Sequence, residues 1–125
     1  MADIAELARI VDDAARKANA ITQLSAKEAL SFEDSYAVQS ASIQRRVARG
    51  EKRVGIKMGF TSRAKMVQMG IDDMIWGRLT DGMMIEDGDT ITCGDMKFRM
   101  IATPGHSPGL QVAYNAEAGE ALVGD

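Results

Sequence analysis

Around Gly50 the dominant period of the apolar residues changes. Before it they recur every three or four positions. From Val54 onward they mostly alternate, apart from one short helical stretch ending at Gly70. A period near 3.6 buries one stripe of a helix, and a period of 2 buries one face of a strand. A chain patterned this way is expected to be α+β, with N-terminal helices packed on a mostly antiparallel sheet from the C-terminal half. At 125 residues it is long enough to bury a core without metal or disulfide, and its single cysteine, Cys93, has no partner for an intrachain bridge.

In the first helix Ile4, Leu7, Ala8, Val11, Ala14, Ala15, Ala18 and Ile21 follow helical spacing, with Asp12, Asp13, Arg16 and Lys17 opposite and Asp3 as N-cap. A second helix starts at Ser31, with Glu33 and Asp34 in the first turn where the helix dipole favours acids. Tyr36, Ser40, Ile43 and Val47 form its inner stripe, and Gly50 ends it. The basic cluster Arg45, Arg46, Arg49, Lys52 and Arg53 reads as a solvated helix end.

Val54, Ile56, Met58 and Phe60 alternate with Gly55, Lys57 and Gly59, which gives a strand with one apolar face and one nearly bare face. Thr61 or Ser62 caps a short helix, and an irregular stretch is expected through Trp76 to Asp81-Gly82. Beyond it, 90–93 and 96–102 flank the turn pair Gly94-Asp95 as a hairpin. Residues 111–114 and 120–123 make another hairpin, with 115–119 as its loop. A seam falls near Glu86-Asp87-Gly88, dividing the chain into segments 1–88 and 89–125.

A net charge of −3 with scattered basic residues argues against nucleic-acid binding. No apolar run approaches the roughly 20 residues of a membrane span. The amphipathic, acid-interrupted N-terminus does not read as a signal peptide, so a cytoplasmic protein is expected.

Two constellations carry chemistry. Lys57 sits between Gly55 and Gly59 on one strand face, where nothing crowds a ligand and an ammonium can meet a carboxylate or enolate oxygen. The plain alternative is an edge-strand lysine pointing to water. The run from Gly55 through Ser62, with Ala37-Val38-Gln39, Ala64-Lys65-Met66, Gln68-Met69-Gly70 and Met74 to Asp81, resembles the N-terminal part of 4-oxalocrotonate decarboxylases. These are relatives of the 2-keto-4-pentenoate hydratases in the fumarylacetoacetate hydrolase superfamily. The resemblance implies decarboxylation of a small 2-oxo dicarboxylate from aromatic-compound degradation, with Mg²⁺ as cofactor. It implies Lys57 as the catalytic lysine and Gly59, Thr61 and Ser62 as substrate-binding residues. The carboxylates that hold the family's metal have no counterpart in this sequence.

The second constellation centres on His106, the only histidine, in Thr103-Pro104-Gly105-His106-Ser107-Pro108-Gly109 directly after a strand. Prolines and glycines stiffen such a loop, and Gly124-Asp125 follows one hairpin later. A lone histidine is more often structural than a ligand. From Asp87 to Asp125 the sequence looks like part of a metallo-β-lactamase-fold hydrolase, which implies His106 and Asp125 as ligands of Zn²⁺ or Fe. Two protein ligands fall short of the three that a catalytic zinc wants.

Three readings follow. The chain is a decarboxylase-like protein with an incomplete site. Or it is a metal-dependent hydrolase. Or it is a non-catalytic chimeric or designed chain that folds as a homo-oligomer, covering exposed strand edges.

Overall fold

A computed structural model describes residues 2–27, 29–105 and 107–123. The chain forms two compact units, Met1–Met83 and Met84–Asp125. The class is α+β, with helices first and antiparallel sheets after.

In the first unit α1 spans Ile4–Lys17 and α2 spans Phe32–Ala48, with a 3-10 turn, Leu24–Ala26, between them. The Asp3 carboxylate accepts from the Glu6 N–H and caps α1. The helix stops short of the apolar stripe's end at Ile21. Ala18 turns left-handed at φ 52°, and the Asn19 N–H closes back on the Ala14 carbonyl at 3.0 Å. A capping box starts α2: the Ser31 hydroxyl accepts from the Asp34 N–H, while the Asp34 carboxylate accepts from the Ser31 N–H.

The two helices pack on each other through buried Ala8, Val38, Ser42 and Ile43. Asp12 is buried with them. Its carboxylate takes a two-pronged contact from Arg49, at 2.6 Å on each oxygen, and a third bond from Arg45 at 2.9 Å. The Arg49 hydrogen bonds, outweighing the effect of burial, hold the Asp12 carboxyl down at about 2. This corrects two sequence expectations. Asp12 does not lie opposite the apolar stripe, and Arg45 and Arg49 are not merely a solvated helix end. Asp12 follows Ala8 by four positions, so helical geometry turns both to the same face.

Strand β1, Arg53–Gly59, pairs antiparallel with β2, Ile75–Thr80, and helix α3, Arg63–Met69, lies between them in sequence. The irregular stretch expected between Gly70 and Gly82 therefore contains a strand. Its residues hide the alternation, because Ile75, Gly77 and Leu79 share one face while Trp76, Arg78 and Thr80 share the other. Neither face is uniformly apolar or polar. The ladder slips between Arg53 and Gly55, which marks a bulge at Val54.

Where β1 begins and β2 ends, the fully buried Thr80 hydroxyl donates to Glu51, whose carboxylate also accepts from Arg46. The Thr80 bond, then Arg46, holds the Glu51 carboxyl below its usual range. Gly82 leaves room for it, since a Cβ there would lie 2.7 Å from a Glu51 oxygen and the carboxylate would have to shift.

The second unit is an antiparallel meander of β3 (Thr90–Cys93), β4 (Met96–Ala102), β5 (Gln111–Asn115) and β6 (Glu120–Leu122). Gly94, at φ 60°, opens the two-residue turn between β3 and β4. Phe98 is its buried apolar centre. Buried Asn115 shapes the last hairpin by accepting from the Glu117 and Ala118 N–H groups. Among the described residues no helix is long and apolar enough to cross a membrane.

Candidate functional site

Alternation along β1 puts Gly55, Lys57 and Gly59 on one face, and the ladder sets Lys57 directly across from Gly77 on β2. Neither Gly55 nor Gly77 has any atom within 4 Å of where a Cβ would stand. The exposed Lys57 side chain thus rises from a floor of bare backbone. Ile75 and Leu79 form the apolar wall of the resulting groove, whose volume is about 260 Å³. At its end Gly59 is tightly fitted, since a Cβ there would meet Ile75 Cγ1 at 3.0 Å.

The other strand face carries Trp76, which stacks on Tyr36 with ring centroids 5.1 Å apart. The Arg78 guanidinium lies 4.6 Å from the Trp76 ring centroid. The outer edge of β2 is closed by α2 side chains in place of another strand. Gln39 donates to the Trp76 carbonyl at 3.0 Å and accepts from the Arg78 N–H at 3.2 Å, while Tyr36 Oη accepts from the Trp76 N–H. Spacing three residues apart on α2 brings Tyr36 and Gln39 to that edge together. The helical stripe placed Tyr36 inward, but no sequence signal showed that these side chains would hold a strand.

Immediately after β1, Phe60 adopts the left-handed region at φ 53°, which aims the chain from strand into helix. Ser62 is the N-cap of α3, its hydroxyl accepting from the Lys65 N–H at 3.3 Å. Lys57 and Gly59 therefore share the groove. Thr61 and Ser62 follow it in sequence but do not line it, and the Ser62 oxygen is engaged in capping.

His106 and Asp125 lie outside the described residues. The flanks of the His106 loop are drawn together where the Thr103 N–H donates to the Leu110 carbonyl at 3.0 Å. Thr103 Oγ1 is buried with no partner among the described residues. No group of three His, Cys, Asp or Glu side chains that could hold a metal ion occurs among them either.

A 4-oxalocrotonate decarboxylase from a Pseudomonas species is 46% identical over 88 residues, which cover 70% of this chain and 34% of that protein. A solved 4-oxalocrotonate decarboxylase from Pseudomonas putida, complexed with magnesium and adipate, superposes with a TM-score of 0.63 at 38% identity, covering 68% of this chain and 33% of that one. Over most of its length the chain is homologous to these enzymes. The homology extends to the hydratases: a 2-keto-4-pentenoate hydratase from Paraburkholderia xenovorans is 40% identical over 62 residues, half of this chain and 23% of its own. The chain thus spans about a third of the decarboxylases it matches. No family model matches it. The relatives support the first sequence resemblance; they give no support to a metallo-β-lactamase-like second segment or to a chimeric origin.

Proposed function

We propose that the first unit presents the lysine-bearing part of a 4-oxalocrotonate decarboxylase-like site, which binds a small 2-oxo dicarboxylate without turning it over unaided. One observation supports this above the others: Lys57 stands on glycine backbone in an apolar-walled groove, where an incoming carboxylate meets the ammonium without steric cost. In the proposed role Lys57 holds a carboxylate or a developing enolate oxygen. Gly59 bounds the groove's end, where a larger residue would press on Ile75.

The solved relative carries magnesium, and a divalent ion supplies charge stabilisation to a 2-oxo acid. The donor set here does not fit one, because the described residues gather no three ligands and hard cations want several oxygens. Carboxylates beyond the described residues would be needed. Purified chain with Mg²⁺ and 2-oxo-3-hexenedioate is therefore expected to release no CO₂ above background, and magnesium-dependent release by the chain alone would refute that part of the proposal.

Adipate binding tests the groove itself. Isothermal titration calorimetry follows it directly, since the ring of Trp76, the sole tryptophan, lies on the opposite face of β2. An exposed ion pair contributes little, so affinity on the order of 1 mM is expected. Lys57→Met should weaken it by about two- to fivefold, the worth of one exposed charged contact. Gly77→Val should block it equally while leaving the fold intact, since space is open around Gly77 and valine favours strands. Binding indifferent to both substitutions would remove the groove as the site.

For the second segment, residues 89–125, the metal reading reduces to His106 and Asp125. Zinc titration is expected to give no tight one-to-one binding, because two ligands are too few. Stoichiometric binding lost in His106→Ala would instead establish the hydrolase-like site.

A further inference from the structure

We propose that the Lys57 groove reads a single carboxylate and the apolar carbons beside it, so that its ligand class is the short, unbranched monocarboxylate of about four to six carbons. This rests on the groove reading above and narrows it, because a second carboxylate adds nothing to binding here. The arrangement of the face carries the inference. Gly55, Lys57 and Gly59 on β1 stand opposite Leu79, Gly77 and Ile75 on β2. The charge is thus central, across from bare backbone. The two large apolar side chains occupy its two diagonals, roughly 7–8 Å away at the strand backbone.

The two diagonals are not alike. Ile75 leans over Gly59, where a Cβ would meet its Cγ1 at 3.0 Å and its Cδ1 at 3.3 Å, so that end is closed. No atom lies within 4 Å of a Cβ built on Gly55 or on Gly77. A carbon chain whose carboxylate meets Lys57 therefore runs over Gly77 toward Gly55, along the half-buried side chain of Leu79, and its far end leaves into open space. The volume of about 260 Å³ lies below that of pockets for drug-sized ligands, which limits the ligand to a short chain.

Among the described residues that line the groove, Lys57 is the one cation. The two arginines of the sheet belong to the other face: Arg53 pairs with Thr80, and Arg78 sets its guanidinium over the Trp76 ring. The far carboxylate of a diacid therefore stays hydrated and makes no ion pair. A methyl group in its place is free to settle against Leu79. Full burial of a methylene is worth about fourfold in affinity, and contact on one side only is worth about twofold.

Straight-chain acids titrated into nitrogen-15-labelled chain test this, with the Gly77 amide shift as the readout. Acetate, butyrate and hexanoate should bind progressively tighter, by about twofold per added methylene. Hexanoate should match or exceed adipate, even though the two equivalent ends of adipate give it a statistical advantage of about twofold. Leu79→Thr keeps a strand-favouring residue and removes the apolar contact. It should leave acetate unchanged and cut the spread from acetate to hexanoate, about sixteenfold in the native chain, to about fourfold or less. Adipate bound about threefold or more tighter than hexanoate would mean that another cation reads the far carboxylate, which overturns the proposal. Equal affinity across the series on the native chain overturns it too. In both cases adipate binding that still depends on Lys57 leaves the groove standing as the site. Adipate binding indifferent to both Lys57→Met and Gly77→Val removes the groove, and this proposal with it.

Discussion

Replacing Arg49 by alanine is expected to destabilise the first unit, lowering its midpoint by roughly 5–10 °C for a unit of this size. Asp12 is the reason. Its side chain is fully buried between α1 and α2, and Arg49 supplies two of its three hydrogen bonds. Without them a buried carboxylate keeps one contact, from Arg45. Arg49 itself is over a third exposed and would return to water at little cost, which puts the expected loss at the low end for a broken buried pair. Arg45→Ala removes one bond and should cost about 1 kcal/mol.

The acid limb distinguishes this network from simple packing. Asp12 titrates near 2 in the fold against its usual 3.8, so between those values the unfolded chain binds more protons than the folded one. Stability from this group is thus fully present above about pH 4 and is lost as pH falls toward 2, by about 1–2 kcal/mol once the arginines' exposure is allowed for. In Arg49→Ala, burial is offset by fewer donors, the carboxyl pKa rises and the acid loss should begin at higher pH. Thermal melts followed by Trp76 fluorescence between pH 2 and 7 report the first unit alone. Equal melting of Arg49→Ala and Arg45→Ala, with parallel pH profiles, would contradict the Asp12 account.

What the sequence revealed and what it hid divide along the same physical line. Features set by a few adjacent residues were legible: the Ser31 cap of α2, the Gly70 stop of α3, the Gly94-Asp95 turn, and the common face of Gly55, Lys57 and Gly59 on β1. Features that depend on partners distant in sequence were not. The Asp12–Arg49 pair spans 37 positions, and only the four-residue spacing from Ala8 hinted that an acid lay on the inner stripe. Strand β2 exists because β1 and α2 hold its two edges, and its own residues give no clean alternation. Gly77, which completes the floor under Lys57, was hidden with it. Phe60 shows nothing in its side-chain chemistry that announces a left-handed turn.

Gln39→Leu is expected to cost about 2–3 kcal/mol, although it exchanges one half-buried side chain for another of similar size. The loss lies in the backbone it serves. The Trp76 carbonyl and the Arg78 N–H each lose a partner, at about 1 kcal/mol or more apiece where water cannot fully replace it. The Gln39 contact to the Arg78 guanidinium goes too. Gln39→Glu tests the geometry more sharply. A carboxylate still accepts from Arg78 but cannot donate to the Trp76 carbonyl, and it sets two acceptors against each other there. It should therefore fall between Gln39→Leu and the native chain near neutral pH, and recover part of the deficit as acid protonates it. Because Gln39 holds the strand that carries both Trp76 and the Gly77 floor of the Lys57 groove, both substitutions should also redshift the Trp76 fluorescence and weaken adipate binding, whereas an exposed substitution such as Val67→Ala should change neither. If Gln39→Leu melted and bound like the native chain, the α2 side chains would not be what holds β2 in place, and the floor beneath Lys57 would need another support.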